Sequence, residues 1–510
     1  MRSEDQPAER VRVPWIGGPA CGNHHRPPAF KNIRISGSGS EIHATRRVKP
    51  EPRKEVTVRV FLLSLAAICL LAGILLYSQW GETATVAEEQ GYGTSPTLPE
   101  PNATLIPTVN IAPATTWPEG ATPEAAEGFT VVRFAGGLDH PRWLHVLPNG
   151  DVLVAETNAP AKPPGEFSLR GWVMSKVMAK AGARVPSANR ITLLRDADGD
   201  GVAEISSTFL ENLNSPFGMA LVGSTLYVAN TDAIVAFPYT TDATQITEPG
   251  TVIAPLPAGP INHHWTKDII ASPDGGTLYA TVGSNSNVGE NGMENEESRA
   301  AVLEVDVATG ATRVFASGIR NPNGLSWQPD SGALWVAVNE RDEIGSDLVP
   351  DYMTSVQDGG FYGWPYSYYG QTVDTRVDPP RPDLVATAIS PDYALGAHTA
   401  PLGLTFNDRD LFPPRYANGA FVGQHGSWNR TPIAGYRVIF VPFADGLPAG
   451  PPEPILTGFV DADQNAMGRP VGVAFHTTGA LLVADDVGNN IWRVSPTDTA
   501  VDPVQSAPAP

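Results

Sequence analysis

Between Pro141 and Val494 one pattern of apolar and polar positions recurs six times. It reads PRWLHVLPNGDVLVAET from Pro141, PFGMALVGSTLYVANTD from Pro216, TKDIIASPDGGTLYATVGS from Thr266 and PNGLSWQPDSGALWVAVNE from Pro322. The last two copies are PLGLTF followed by NGAFVGQHG from Pro401, and PVGVAFHTTGALLVADD from Pro470. In each, an apolar strand meets a turn built from Pro, Asn, Asp or Gly, and a second strand rich in Leu, Val and Ala follows, which is the signature of a β-hairpin. A hairpin this small cannot bury its own apolar face, so neighbouring copies must cover it. Successive copies start 75, 50, 56, 79 and 69 residues apart, which leaves room for two further strands in each. Helical 3.6-residue periodicity is almost absent from 129 to 494. The pattern therefore predicts an all-β fold, a six-bladed β-propeller over 128–497.

The geometry of a hairpin fixes where chemistry can sit. The first strand starts and the second ends on the same side of the sheet, so all of these termini ring one mouth. Arg142, Asn214, His263, His264, Arg320, Asn321, His398 and Arg469 precede first strands. Glu156, Asn230, Asn339 to Asp342, His425, Asp485 and Asp486 follow second strands. Strand ends are often polar only because they meet water, but this set of His, Arg and carboxylates on one mouth favours a site.

Upstream the pattern changes. VFLLSLAAICLLAGILLY runs from Val60 to Tyr77 without a charge, about enough to cross a bilayer as a helix over 59–77. Arg46, Arg47, Lys49, Arg53, Lys54 and Arg59 precede it, so the positive-inside rule keeps the arm 1–58 cytoplasmic and exports the propeller from the cell membrane. A cleaved signal peptide is the alternative, but its n-region would have to be far longer than usual. From 78 to 127 a Pro-, Thr-, Ala- and Glu-rich stretch without apolar periodicity reads as a disordered stalk, and 498–510 as a disordered tail. Residues 1–59 carry 12 Lys and Arg against 6 Asp and Glu, which leaves 22 basic against 48 acidic residues beyond them, near −26. So acidic an exported surface argues against nucleic acid or anionic lipid as a partner of the domain as a whole, and fits a solvated domain or one that holds cations. Both cysteines, Cys21 and Cys69, precede the propeller, so it uses no disulfide and no Cys nucleophile.

Three motifs carry candidate chemistry. DADGDGVAE places Asp196, Asp198, Asp200 and Glu204 at alternate or near-alternate positions around Gly201, with the Val202 carbonyl available, as a Ca2+ loop does; an acidic surface turn without metal is the other reading. INHHWTKD sets His263 and His264 before the third repeat. Neighbours on an extended segment face opposite ways, so one of the two points into the mouth, where a neutral imidazole takes a proton from a hydroxyl. GIRNPNGL offers Arg320 and Asn321, and AVNERDEIGSDLVPD offers Glu340, Arg341 and Asp342; on composition this is either an anion site or a salt-bridge network. FYGWPYSYYG and HGSWNR add aromatic faces that suit sugar rings, or anchor loops.

These residues together resemble the glucose/sorbosone dehydrogenase family, six-bladed propellers that use pyrroloquinoline quinone. The likeness covers about 128–494 and rests on PRWLHVLPNGDVLVAETNA, HHWTKDIIASPDG, GIRNPNGL, NERDE with DLVPDY, GGFYGWPYSYYG, HGSWNR and GRPVGVAFHTTGALLVADDVGNNIWRV. It implies His264 as the base that removes the hydroxyl proton and Arg320 beside the quinone carbonyl, with Asn321 in the same matched pair. It implies Arg469 on the cofactor carboxylates and calcium on main-chain carbonyls near Glu340 and Arg341. The chain departs from the glucose branch at Glu340, Gly426 and Val471, where Arg142, His425 or Arg430 would compensate.

The implied activity is oxidation of a sugar hydroxyl by hydride transfer to the quinone, with an external electron acceptor. A non-catalytic propeller that binds glycans or a protein is a second reading. A calcium-dependent lactonase-type hydrolase, with Glu156, Asn230, Asn339 and Asp485 around a central ion, is a third.

Overall fold

A computed structural model describes residues 53–78, 81–161 and 169–497. Arg53–Ser78 form helix α1, with side chains described at 59–71, 73 and 74. Its described large apolar side chains, among them Val60, Phe61, Leu63, Ile68 and Ile74, are exposed. Among the described residues no helix is long and apolar enough to cross a membrane; the expected span over 59–77 runs past the described side chains at 72 and 75–77. Residues 1–52 of the expected arm and the tail 498–510 lie outside the described residues.

Six four-stranded antiparallel units follow, one for each repeat of the sequence, two of them widened by short added strands. The innermost strands are Pro141–Val146, Met219–Val222, Ile269–Ala271, Asn321–Trp327, Pro401–Phe406 and Pro470–Phe475. The second strands are Val152–Glu156, Thr225–Ala229, Thr277–Val282, Leu334–Asn339, Gly419–Gln424 and Leu481–Asp485. Their Leu, Val and Ala side chains are almost wholly buried in layers between blades, with Trp335 the largest side chain among them. Each such side chain contributes roughly 1.5–3 kcal/mol of transfer free energy. Blade 6 takes its outer strand from the other end of the chain: Phe129–Gly136 pairs antiparallel with Asn490–Pro496.

Four of the repeats carry glycine at their third position, and the structure shows why. Gly218, Gly324, Gly403 and Gly472 each lie where an inner strand passes the backbone of the next blade. A Cβ on Gly324 would lie 2.6 Å from the Leu402 carbonyl, and one on Gly472 would lie 2.8 Å from the Arg142 carbonyl. Only a residue without a side chain allows this approach. Where the repeat lacks the glycine a specific contact replaces it. Trp143 packs on Phe217 with ring centroids 4.5 Å apart, and the Asp268 carboxylate accepts from Leu325 N at 2.8 Å.

Residues 81–127, expected to be an unpacked stalk, instead run as a strap along the propeller. Tyr92–Gly93 adds to the outer strand of blade 4, Tyr393–Ala397, and Glu124–Ala125 adds to that of blade 5, Glu453–Thr457. Before the first of these Thr85 N donates to Asp347 at 2.7 Å, and between the two Asn102 N donates to the Ile344 carbonyl at 2.9 Å. Asn110 N donates to the Trp428 carbonyl at 2.9 Å, and Thr115 N to that of Ala466 at 2.7 Å. Backbone amides make most of these bonds, so a sequence poor in apolar residues forms them as well as any other. The partners lie in mouth-side loops of blades 4, 5 and 6.

Candidate active site

The mouth holds two linked groups of side chains. The first is centred on Arg320, which is 3% exposed and stands just before the inner strand of blade 4. Its Nη1 donates to the Glu340 carbonyl at 2.5 Å, and its Nη2 to Asn287 Oδ1 at 2.9 Å and Asp342 Oδ2 at 3.1 Å. Asp342 Oδ1 in turn meets His398 Nδ1 at 3.2 Å, while His398 Nε2 faces the Gly345 carbonyl at 2.9 Å. Burial pulls the His398 pKa down, but the Asp342 partner outweighs it and the net shift is upward. Burial likewise opposes ionisation of Asp342, and His398 and Arg320 overcome it to hold its carboxyl below the usual range. Asp342 is therefore a carboxylate clamped between two cations.

His264 stands beside this group. It is half-buried, whereas His263 is exposed, and the two rings are 4.6 Å apart at 88°. Its Nδ1 lies 2.8 Å from the Ser284 carbonyl, which fixes the proton there and leaves Nε2 as the acceptor. Burial first, then His263 and Arg320, push its pKa well below the ordinary value, so the ring is neutral. Gly283 makes room for it: a Cβ there would lie 2.5 Å from the His264 Cβ and would strike Asn321 Oδ1. That Asn321 oxygen is buried and has no partner among the described residues.

The second group spans blades 5, 6 and 1. Asp486 Oδ2 accepts from Arg142 Nη1 at 2.7 Å and meets His425 Nε2 at 2.9 Å. Burial drives His425 down to about 4, and His425, His140 and Arg142 overcome burial to keep Asp486 ionised. Arg469, 3% exposed, lies over the Tyr436 ring at 4.8 Å and donates to the Ala112 carbonyl at 3.0 Å. Arg430, 7% exposed, donates to the Pro432 carbonyl at 2.8 Å. Neither has a carboxylate partner among the described residues, and Nε of Arg142, Arg430 and Arg469 is buried without any. Buried cations in excess of carboxylates make a receptor for an anion.

Other expected site residues fall elsewhere. Arg341 is fully buried, paired with Glu340 at 3.0 Å and Asp374 at 3.1 Å, and builds the wall behind the site. The Glu340 carbonyl already accepts Arg320, so it faces a guanidinium rather than an open cation position. Asp196, Asp198, Asp200 and Glu204 bring their ligand atoms within 4.8 Å of one another. Their loop, with exposed Val202, joins the outer two strands of blade 1 on the face opposite the mouth. Three of the four polar groups expected around a hydrolase's central ion are engaged by other partners. Glu156 is taken by Arg190 and Thr192, and Asp485 by Trp117 and Trp492. Asn339 donates to the Pro401 carbonyl. Tyr362, Trp364 and Tyr368 are buried and anchor their loop. Gly426 has the Tyr436 ring against it where a side chain would go, and Val471 is core. Asn287, which binds both Arg320 and Asp342 N, carries no signal in sequence beyond its place in a polar loop after a second strand.

Residues 187–357 and 384–497 match the family model described as TrAA12-like. A pyrroloquinoline quinone-dependent pyranose dehydrogenase of Coprinopsis cinerea is 23% identical over an aligned length of 434, covering 72% of this chain and 54% of that protein. The chain thus spans about half the length of that curated relative. The calcium structure of Trichoderma reesei Carbohydrate-Active Enzymes Family AA12 superposes with a TM-score of 0.60 at 19% identity, over 76% of this chain and 99% of that one. The holo form of the pyranose dehydrogenase PQQ domain from Coprinopsis cinerea gives 0.59 at 19% identity, over 76% and 100%. At these identities the likeness shows the fold.

Proposed function

The chain belongs to the TrAA12-like family, and from that premise we propose that it is a quinoprotein that oxidises a hydroxyl of an aldose or related sugar and passes the electrons to an external acceptor. The observation that carries this reading is His264, neutral, with Nδ1 held by Ser284 and Nε2 left as an acceptor beside Arg320. The curated relative is a pyrroloquinoline quinone-dependent dehydrogenase, and the anion receptor suits that planar tricarboxylate: Arg469, Arg430 and Arg142 keep buried N–H groups without partners.

When bound, the quinone supplies the two-electron acceptor. The chain does the rest. His264 Nε2 takes the hydroxyl proton, a contribution of about 10²–10⁴ in rate for a positioned base. Arg320, held in place by Asp342 and Asn287, keeps a fixed positive charge where negative charge develops, with no reorganisation at the moment of reaction. Arg469 and Arg142 neutralise carboxylates, and Tyr436 keeps the Arg469 guanidinium flat against its ring.

Calcium suits, on this reading, the oxygen-only set of Asp196, Asp198, Asp200 and Glu204, where it would stabilise blade 1 rather than take part in the reaction. No step is derived through a metal at Glu340. The uncharged run 60–77 and its basic flank support α1 as a single anchor, with the N-terminus cytoplasmic and the propeller outside.

The test adds pyrroloquinoline quinone and an aldose panel to the detergent-purified full chain without an acceptor. Bleaching of the quinone by one sugar supports the reading. Binding without bleaching by any sugar removes the sugar substrate, and no binding removes the quinoprotein.

A further inference from the structure

Helix α2, Leu169–Lys180, is inserted between the second and third strands of blade 1, on the mouth side. Its C-terminal end is fixed. The Lys180 carbonyl accepts from Ala114 N of the strap at 2.8 Å, and Asn158 Nδ2 donates to the Val185 carbonyl at 2.8 Å. Its outer face is not covered: Trp172 is 53% exposed, Val173 44% and Met178 37%, and Lys176 and Lys180 are exposed with them.

Positions 172, 176 and 180 are one turn apart, so the indole and two ammonium groups share a line along the helix. Leaving apolar side chains of this size in water forgoes roughly 1.5–3 kcal/mol each, so the face is stable only in a setting that takes up both kinds of group. The charge of the insertion says which. Residues 157–189 carry Lys162, Arg170, Lys176, Lys180 and Arg184 against Glu166 alone, in a chain of net charge −20.

We propose that α2 docks onto an anionic lipid surface. Lys176 and Lys180 pair with headgroup phosphates while Trp172 and Val173 enter the boundary with the acyl chains, the arrangement of an interfacial helix. The face has apolar and basic groups interleaved along one helix, which matches a flat, laterally mobile surface of phosphates over hydrocarbon. The exposed apolar side chains of α1 in the same chain need the same solvent.

Hydrogen exchange over 172–180 of the full chain, measured with phosphatidylcholine vesicles and with vesicles containing phosphatidylglycerol, tests this. Several-fold slower exchange on the anionic vesicles, reversed by high salt and in K176E/K180E, is expected. The basic flank of α1 also favours anionic lipid, so the readout is exchange over 172–180 itself and its loss in K176E/K180E, which leaves that flank unchanged. Should the double variant not fold, salt reversal in the parent chain carries the test. Equal exchange in the two lipids overturns the proposal. Slowing by a small acidic protein without vesicles overturns it too, since the face would then belong to a protein partner.

Discussion

Arg469 and Ala112 are joined by a hydrogen bond of 3.0 Å across 357 residues of chain, which makes the strap part of the wall that holds a buried arginine of the mouth. Trp117 fastens the strap nearby, with Nε1 on Asp485 at 2.7 Å and its ring edge-on to Phe459 and Trp492. Trp117→Ala is expected to cost about 3–5 kcal/mol and to weaken quinone binding at temperatures where the propeller is still folded. Calorimetry and quinone titration check both; unchanged affinity would remove the strap from the site.

His264→Gln is expected to abolish turnover and keep quinone binding. The lowered pKa of His264 means that its ring stays unprotonated as pH falls through the ordinary histidine range near 6.5. The rate therefore holds its plateau through that range and drops only at more acid pH. A rate profile that halves near 6.5 would assign the base elsewhere.

Gly283→Ala places a methyl group against the His264 Cβ and Asn321 Oδ1. Displacement by even about 1 Å from the reacting geometry costs on the order of 10²-fold. Turnover is expected to fall by that order while quinone affinity changes little, as measured by single-turnover bleaching beside equilibrium binding.

Asp351 accepts from Glu340 N and from Ala400 N, each at 2.8 Å, and so ties blade 4 to blade 5. Burial pushes its carboxyl up to about 7. A carboxyl with a raised folded pKa holds its proton more tightly in the folded chain. Its contribution is full below the unfolded value of about 3.9 and is lost as pH rises toward about 7. Denaturant unfolding at about pH 5 and about pH 8 should show a fall in stability that shrinks by roughly 2–3 kcal/mol in Asp351→Asn. An unchanged fall would show that Asp351 is ionised throughout.

The propeller was legible because each repeat pairs an alternating strand with a turn of fixed chemistry, and because Pro, Gly and the small apolar residues mark the inner strand. The same logic places His264, Arg320 and Arg469 at the mouth, since each precedes such a strand. The strap was not. Its bonds run through the backbone, and Tyr92, Ala112 and Trp117 are too widely spaced to make a period. Nor does sequence show that Asp342 joins Arg320 to His398, because three loops from different blades meet there. The aromatic run at 361–369 was open between a sugar platform and a loop anchor, and burial of Tyr362, Trp364 and Tyr368 decides for the anchor.

Closure of the ring by Phe129–Gly136 on Asn490–Pro496 bears on how the molecule is made. Phe129–Gly136 is made before every other strand of the four-stranded units yet pairs with the last of them, so five blades emerge before their ring can shut. Contacts of such sequence separation form slowly, and until they do the N-terminal strand has an unpaired edge open to other chains. Final assembly must therefore follow synthesis, and loss of the last few residues of that strand would release both ends at once.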